Sequence, residues 1–220
     1  MNLEMLCFCS HSLGDSLYVE IAKTHAKTTI KNHFREDGST WHVVSYDPET
    51  GGVQVKNTSQ GYSDDSAWAR GQAWGLYGYT MMYRETGDPV FLEQARKIGR
   101  FIKNHPNLPE DMVPCWDFNA PGAPDTQRDA SAAAIMASAF IELSQLDPSS
   151  EALAWMTIAI KQLMTLSCNE YLAAPGEQGG FILKHSVGSL PGKSEVDVPL
   201  TYADYYYVEA LLRLKEMMSY

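Results

Sequence analysis

Cysteine is scarce in this chain: four residues, Cys7, Cys9, Cys115 and Cys168, in 220. They are too sparse for a disulfide framework, and beyond the lone Cys7-x-Cys9 they lack the paired spacing of a metal site. Reduced thiols in the core are expected, with neither metal nor cofactor. No run reaches the ~18–20 consecutive apolar residues of a membrane span, so no membrane partner is expected. The N-terminus lacks the basic start and long apolar stretch of a secretory signal, which makes the cytoplasm the expected location. Basic charge is also short: 17 Lys+Arg stand against 27 Asp+Glu, a net charge of −10. That balance leaves no stripe for nucleic acid, and any anionic ligand must be held by a few local cations against an unfavourable overall field.

Apolar residues make up 45% of the chain, enough for one sizeable core and a single domain over 1–220. The stretch from Gly14-Asp15-Ser16-Leu17 to Lys23 recurs as Gly87-Asp88-Pro89-Val90 to Arg96, and Asp147-Pro148-Ser149-Ser150 opens a third copy. Asp or Asp-Pro at a helix start satisfies free backbone N–H groups and presets the backbone angle. Amphipathic helices are therefore predicted over Ser16–His33, Pro89–His105 and Ser149–Tyr171, on the outside. Between them lie helices richer in small and aromatic residues, at about 66–86, 129–146 and 203–219. The run from Ala130 to Ala137 has almost no polar face, which predicts that these are inner helices. With a short helix at 1–11 there are seven, where a closed double-layered ring of helical hairpins has about twelve. The predicted class is all-α, an incomplete ring. Its long connections, Glu36–Asp65, Asn107–Arg128 and Ala173–Tyr202, concentrate Gly, Pro, Trp and His, as functional loops do.

The densest chemical signal is Gln60-Gly61-Tyr62-Ser63-Asp64-Asp65-Ser66-Ala67-Trp68-Ala69-Arg70-Gly71-Gln72-Ala73-Trp74. If Asp64, Asp65 or Ser66 caps the helix, Trp68, Arg70 and Trp74 occupy its first turns. An indole face stacks on a pyranose ring, and a guanidinium pairs with a carboxylate in a fork, so the set suits a sugar acid. The alternative is that Trp68 and Trp74 are core aromatics and Arg70 braces a neighbouring loop.

This segment, followed by Thr86-Gly87-Asp88, Trp116-Asp117-Phe118, Arg128-Asp129-Ala130-Ser131 and Asp204-Tyr205-Tyr206-Tyr207, resembles the unsaturated glucuronyl hydrolases of glycoside hydrolase family 88 along nearly the whole chain. The rhamnogalacturonyl hydrolases of family 105, and a non-catalytic carbohydrate-binding remnant, are the alternatives. The resemblance implies the C-terminal part of a six-hairpin (α/α)6 barrel. It also implies an oligosaccharide substrate ending in a uronic acid with a C4=C5 double bond. In that reaction an aspartic acid protonates C4 and helps deliver water to C5; the hemiketal opens and the glycosidic bond breaks, unlike the usual displacement at the anomeric carbon. Such an acid needs a raised pKa.

The resemblance places His42 in the pocket, Thr58 and Gln60 on a pocket segment, and Arg70 and Trp74 at substrate-binding positions, with Trp68 as a stacking wall. For His42 the competing reading is a loop histidine bonded to backbone. Ser189 and Lys193 match a loop that contacts the uronate or a sulfate on the next sugar, although Gly188 replaces a frequent aromatic and Gly192 a frequent serine. The family's general acid aligns three residues before Met1, so no catalytic residue is assigned within the chain and the isolated chain is expected to be inactive. Asp64, Asp65, Asp129 and Asp204 are read as helix caps.

Overall fold

A computed structural model describes residues 2–219; Met1 and Tyr220 lie outside the described residues, and with Met1 the expected first residue of the opening helix. Among the described residues seven α-helices carry the fold: α1 (Leu3–Leu13), α2 (Leu17–His33), α3 (Ala69–Thr86), α4 (Pro89–Asn104), α5 (Ala130–Leu146), α6 (Ala152–Leu166) and α7 (Thr201–Met218). The inner row runs α1, α3, α5, α7; α2, α4 and α6 pack on its outside as the partners of α1, α3 and α5. The predicted alternation of inner and outer helices is therefore present.

Two of the three repeated turns form as expected. Gly14 and Gly87 both adopt φ 66, a left-handed angle that glycine tolerates without strain. The next residue then caps the following helix: Asp15 accepts from Leu17 N at 2.9 Å and Asp88 from Val90 N at 3.1 Å. The third turn differs. Asp147 closes α5 and accepts from Ser149 N and Trp155 Nε1, both at 2.8 Å, and from Arg96. Burial pushes the Asp147 pKa up, but these donors outweigh it and hold the carboxyl well below its ordinary value. The helix after this turn consequently starts at Ala152 instead of Ser149, and it stops at Leu166 instead of Tyr171.

Helix α5 is the centre of the core, with every residue from Ala130 to Leu143 buried. Its alanines let α3, α6 and α7 approach from three sides. Gly99 on α4 serves the same end, since a Cβ there would stand 3.2 Å from the Trp155 ring, which stacks on Phe140 at 5.7 Å. Cys7 and Cys115 are buried as expected, but Cys9 is only half-buried and Cys168 is exposed.

The long connections hold structure that the all-helical expectation omitted. Strands β1 (Val43–Tyr46) and β2 (Val53–Asn57) pair antiparallel, as do β3 (Ser186–Ser189) and β4 (Ser194–Val198). Both hairpins lie at the end of the helical stack where α3, α5 and α7 begin. Helix α3 starts at Ala69, later than predicted. Its N-cap, Trp68, makes no side-chain cap bond; the connection before α5 satisfies the helix instead, through Ala69 N donating to Trp116 O at 3.2 Å.

Candidate functional site

A cavity of about 590 Å³ opens between α2, α3 and the connection that joins them. Residues Gly71, Trp74, Gly75 and Gly78 form one wall, a single stripe of α3 at i, i+3, i+4 and i+7 spacing. Glycine matters at position 71, because a Cβ there would lie 2.9 Å from the Trp68 ring and push it off the helix. The facing wall is His25, Thr29 and His33 of α2, again one helical stripe, with Trp41 and His42 closing the mouth. Three tryptophans and three histidines line this space, and no Asp, Glu, Lys or Arg does. In a chain with net charge −10, this cavity is lined by no carboxylate.

His42 is held in one tautomer. Its Nδ1 faces Ser59 N at 3.1 Å and Gln60 N at 3.3 Å, both backbone donors, so Nδ1 accepts and the proton resides on Nε2. The ring lies 4.3 Å from Trp68, and Thr58 Oγ1 is 3.2 Å from Nδ1. His42 is bonded to backbone and also lines the cavity. Burial, followed by the Arg70 charge and His33, lowers its pKa. His33 and His105 are lowered as well, chiefly by burial.

Lowered histidine pKa values bind fold stability to pH. An unfolded histidine titrates near 6.5 and the folded form below that, so the unfolded chain takes up more protons as pH falls. The contribution is complete above pH 6.5 and is lost as pH drops through the folded values. The urea midpoint should therefore fall between pH 7 and pH 5, with a shallower fall in His42→Gln. A flat midpoint over that range contradicts this assignment.

The other expected site residues divide. Trp68 and Trp74 line the cavity, Trp74 being set against Tyr206 at 5.3 Å and Tyr202 at 6.2 Å. Thr58 stands behind His42, accepting from Gly61 N at 2.9 Å. Gln60 does not line the cavity: its Nε2 donates to Gly188 O at 2.8 Å, tying the rim to β3. Arg70 is also turned away. It is 3% exposed, pairs with Asp129 at 2.8 Å, and donates to Gly188 O at 2.6 Å and to Val187 O. Its guanidinium thus braces the start of α5 and β3. Ser189 and Lys193 sit at the β3–β4 turn, outside the cavity lining, with Ser189 Oγ accepting from Gly192 N at 3.2 Å. The space beside Gly188 is filled by Glu195 of the opposing strand, whose Cβ would be 2.6 Å from any Cβ added there.

The aspartates read as caps have other partners in addition to, or instead of, helix ends. Asp129 does cap α5, accepting from Ser131 N at 3.1 Å, while neutralising Arg70. Asp64 accepts from Thr58 N at 2.8 Å and caps no helix. Asp204, within the first turn of α7, accepts from Ile182 N and Leu183 N at 2.9 Å each and so anchors the preceding loop. The cavity residues Trp41, His25 and His33 were not among the expected site residues. Among the described residues there is no group of three His, Cys, Asp or Glu side chains able to hold a metal ion, and no helix long and apolar enough to cross a membrane.

No family model matches the chain. It is 46% identical over 218 residues to the unsaturated glucuronyl hydrolase of Formosa agariphila, covering 99% of this chain and 54% of that protein. All five curated relatives that match are named unsaturated glucuronyl hydrolase or unsaturated chondroitin disaccharide hydrolase. The fold superimposes on the crystal structure of an unsaturated glucuronyl hydrolase described as specific for heparin, with a TM-score of 0.97 and 51% identity, over 100% of this chain and 58% of that one. It also matches a Streptococcus agalactiae unsaturated glucuronyl hydrolase variant complexed with dGlcA-GalNAc6S, at a TM-score of 0.85 and 33% identity, over 97% of this chain and 56% of that one. The chain thus spans about half the length of the relatives it matches. Near-complete alignment of the chain, the shared helical architecture and the names its relatives bear agree: along nearly its whole length the chain is homologous to a little over half of an unsaturated glucuronyl hydrolase.

Proposed function

We propose that these 220 residues form the sugar-acid-binding wall of an enzyme that hydrates the C4=C5 bond of an unsaturated uronic acid at the end of an oligosaccharide. The observation that carries this is the carboxylate-free cavity lined by three tryptophans and three histidines. A flat unsaturated pyranose ring suits the cavity side of Trp74, with Trp68 buried behind His42, and its carboxylate meets the Nε2–H of His42 without a repelling anion nearby. Arg70 is a positioning residue, holding β3 and the start of α5 at the site. The hydration adds a proton to C4 and water oxygen to C5; the resulting hemiketal opens and releases the next sugar. The relatives' names give no support to a rhamnogalacturonyl hydrolase.

Binding of an unsaturated chondroitin disaccharide, followed by quenching of tryptophan fluorescence, tests the proposal. Saturable binding is expected, weakened about tenfold in Trp74→Ala, as loss of one stacked aromatic face predicts. Equal affinity of the variant and the parent chain would remove the cavity from consideration.

A further inference from the structure

Tyr62 is a half-exposed aromatic on a loop that is pinned at almost every other atom. Asp117, fully buried, directs its carboxylate at this loop: Oδ2 accepts from Tyr62 N at 2.9 Å and from Ser66 Oγ at 2.7 Å. Burying a carboxylate is costly unless its bonds compensate, so its use on a surface loop marks that loop as one whose shape is specified. Gly61 is equally constrained, since a Cβ there would be 2.6 Å from Thr58 Oγ1 and 3.0 Å from Asp117 Oδ2. Ser63 N donates to Ser66 Oγ at 3.0 Å and closes the turn. The backbone is fixed, yet the ring of Tyr62 stays 50% exposed, supported only edge-on by Trp116 at 6.5 Å.

Its position relates it to the cavity. Tyr62 follows Gln60 by two residues, about 7 Å of chain, and Gln60 N touches the His42 ring while Gln60 Nε2 holds Gly188 O. Trp116, on which Tyr62 rests, packs with Val187 of β3, and Leu190 at the β3–β4 turn covers the same cluster. Tyr62 therefore stands on the rim between the cavity mouth and the tip of the second hairpin. For a ring docked at His42 and Trp74, this rim is the neighbouring surface on which a following sugar can rest.

We propose that Tyr62 is the stacking platform for the sugar that follows the uronic acid, and so a specificity-determining residue for chain length. This rests on the uronate-binding role of the cavity given above. A preordered amphipathic ring offers a pyranose face contact at little entropic cost, with the phenol free to donate at the ring edge.

Two probes separate the sites: the methyl glycoside of the unsaturated uronic acid, which lacks a second ring, and the unsaturated chondroitin disaccharide. The parent chain should bind the disaccharide more tightly. Tyr62→Ala should lose about three- to tenfold of the disaccharide affinity and none of the methyl glycoside affinity, and Tyr62→Phe and Tyr62→Trp should retain both. Equal loss for both probes in Tyr62→Ala, loss for neither, or the same loss in Tyr62→Phe and Tyr62→Trp, overturns the platform. Parent chain that binds both probes alike also overturns it while leaving the cavity intact. Binding of neither probe refutes the cavity itself and the platform with it.

Discussion

Asp129→Ala should cost about 3–5 kcal/mol of folding stability, a large share of the ~5–15 kcal/mol that a domain of this kind possesses. Arg70 and Asp129 are both buried, at 3% and 0% exposure, and among the described residues Arg70 forms an ion pair with no other carboxylate. Removing the aspartate leaves an uncompensated cation in the core and deletes the cap of α5, the most buried helix. The damage extends to the hairpin of β3 and β4, because the same guanidinium holds Val187 O and Gly188 O and Asp129 Oδ1 faces Val187 N at 3.4 Å. Urea denaturation measures the loss. Replacing the pair together, as Arg70→Met with Asp129→Leu, should be less harmful than Asp129→Ala alone, since no charge is stranded. A single variant within about 1 kcal/mol of the parent would show that the pair is not the keystone described here.

The second large effect concerns turnover. These 220 residues, assayed alone, should consume an unsaturated chondroitin disaccharide at least ~10²–10⁴-fold more slowly than a whole relative such as the Formosa agariphila enzyme, the span that general acid–base catalysis typically supplies. Four aspartates around the site are engaged. Asp129 pairs with Arg70, Asp117 accepts from Tyr62 N and Ser66 Oγ, Asp64 from Thr58 N, and Asp204 from two backbone amides. A carboxyl group committed to such bonds is not free to reach C4 of a docked ring. Nor does any carboxylate line the cavity. The loss of ultraviolet absorbance from the ring double bond reads the rate directly. Turnover comparable to the whole relative would place the acid among Asp64, Asp65, Asp129 and Asp204 and would refute the assignment.

Much of the scaffold is legible in the residues because two simple rules agree over long stretches. Small apolar runs, as at Ala130–Ala137, can only be inner helices, and Gly-Asp turns repeat where hairpins close. The hairpins within the loops carry a weaker signal: Val43-Val44-Ser45-Tyr46 and Val53-Gln54-Val55-Lys56 flank a Gly51-Gly52 turn, an alternation of strands easily passed over when the flanking helices dominate. The site divides along similar lines. Trp68 and Trp74 follow from residue type and position and His42 from the family resemblance, but the direction of Arg70 does not. Its fate is set by Asp129, fifty-nine positions away, which local helix-start logic explains fully as a cap. His25 and His33 share an i, i+4, i+8 stripe with Thr29, a periodic signal that marks a face without revealing what it faces.

The inner row also dictates how the chain comes apart. Contacts run from α1 and α2 to α3, from α3 to α4 and α5, and from α5 to α6 and α7, each step reaching little beyond its neighbour. Such an arrangement behaves as a one-dimensional series whose cooperativity is transmitted link by link. Helix α5, buried along its length, forms the most protected link, and its amides exchange with solvent only when the whole series opens. At the margins, α1 leaves Met5 and Phe8 to water and α7 leaves Leu212 exposed. Opening therefore proceeds inward from α1 and α2, so the cavity between α2 and α3 dissolves while the core around α5 still stands.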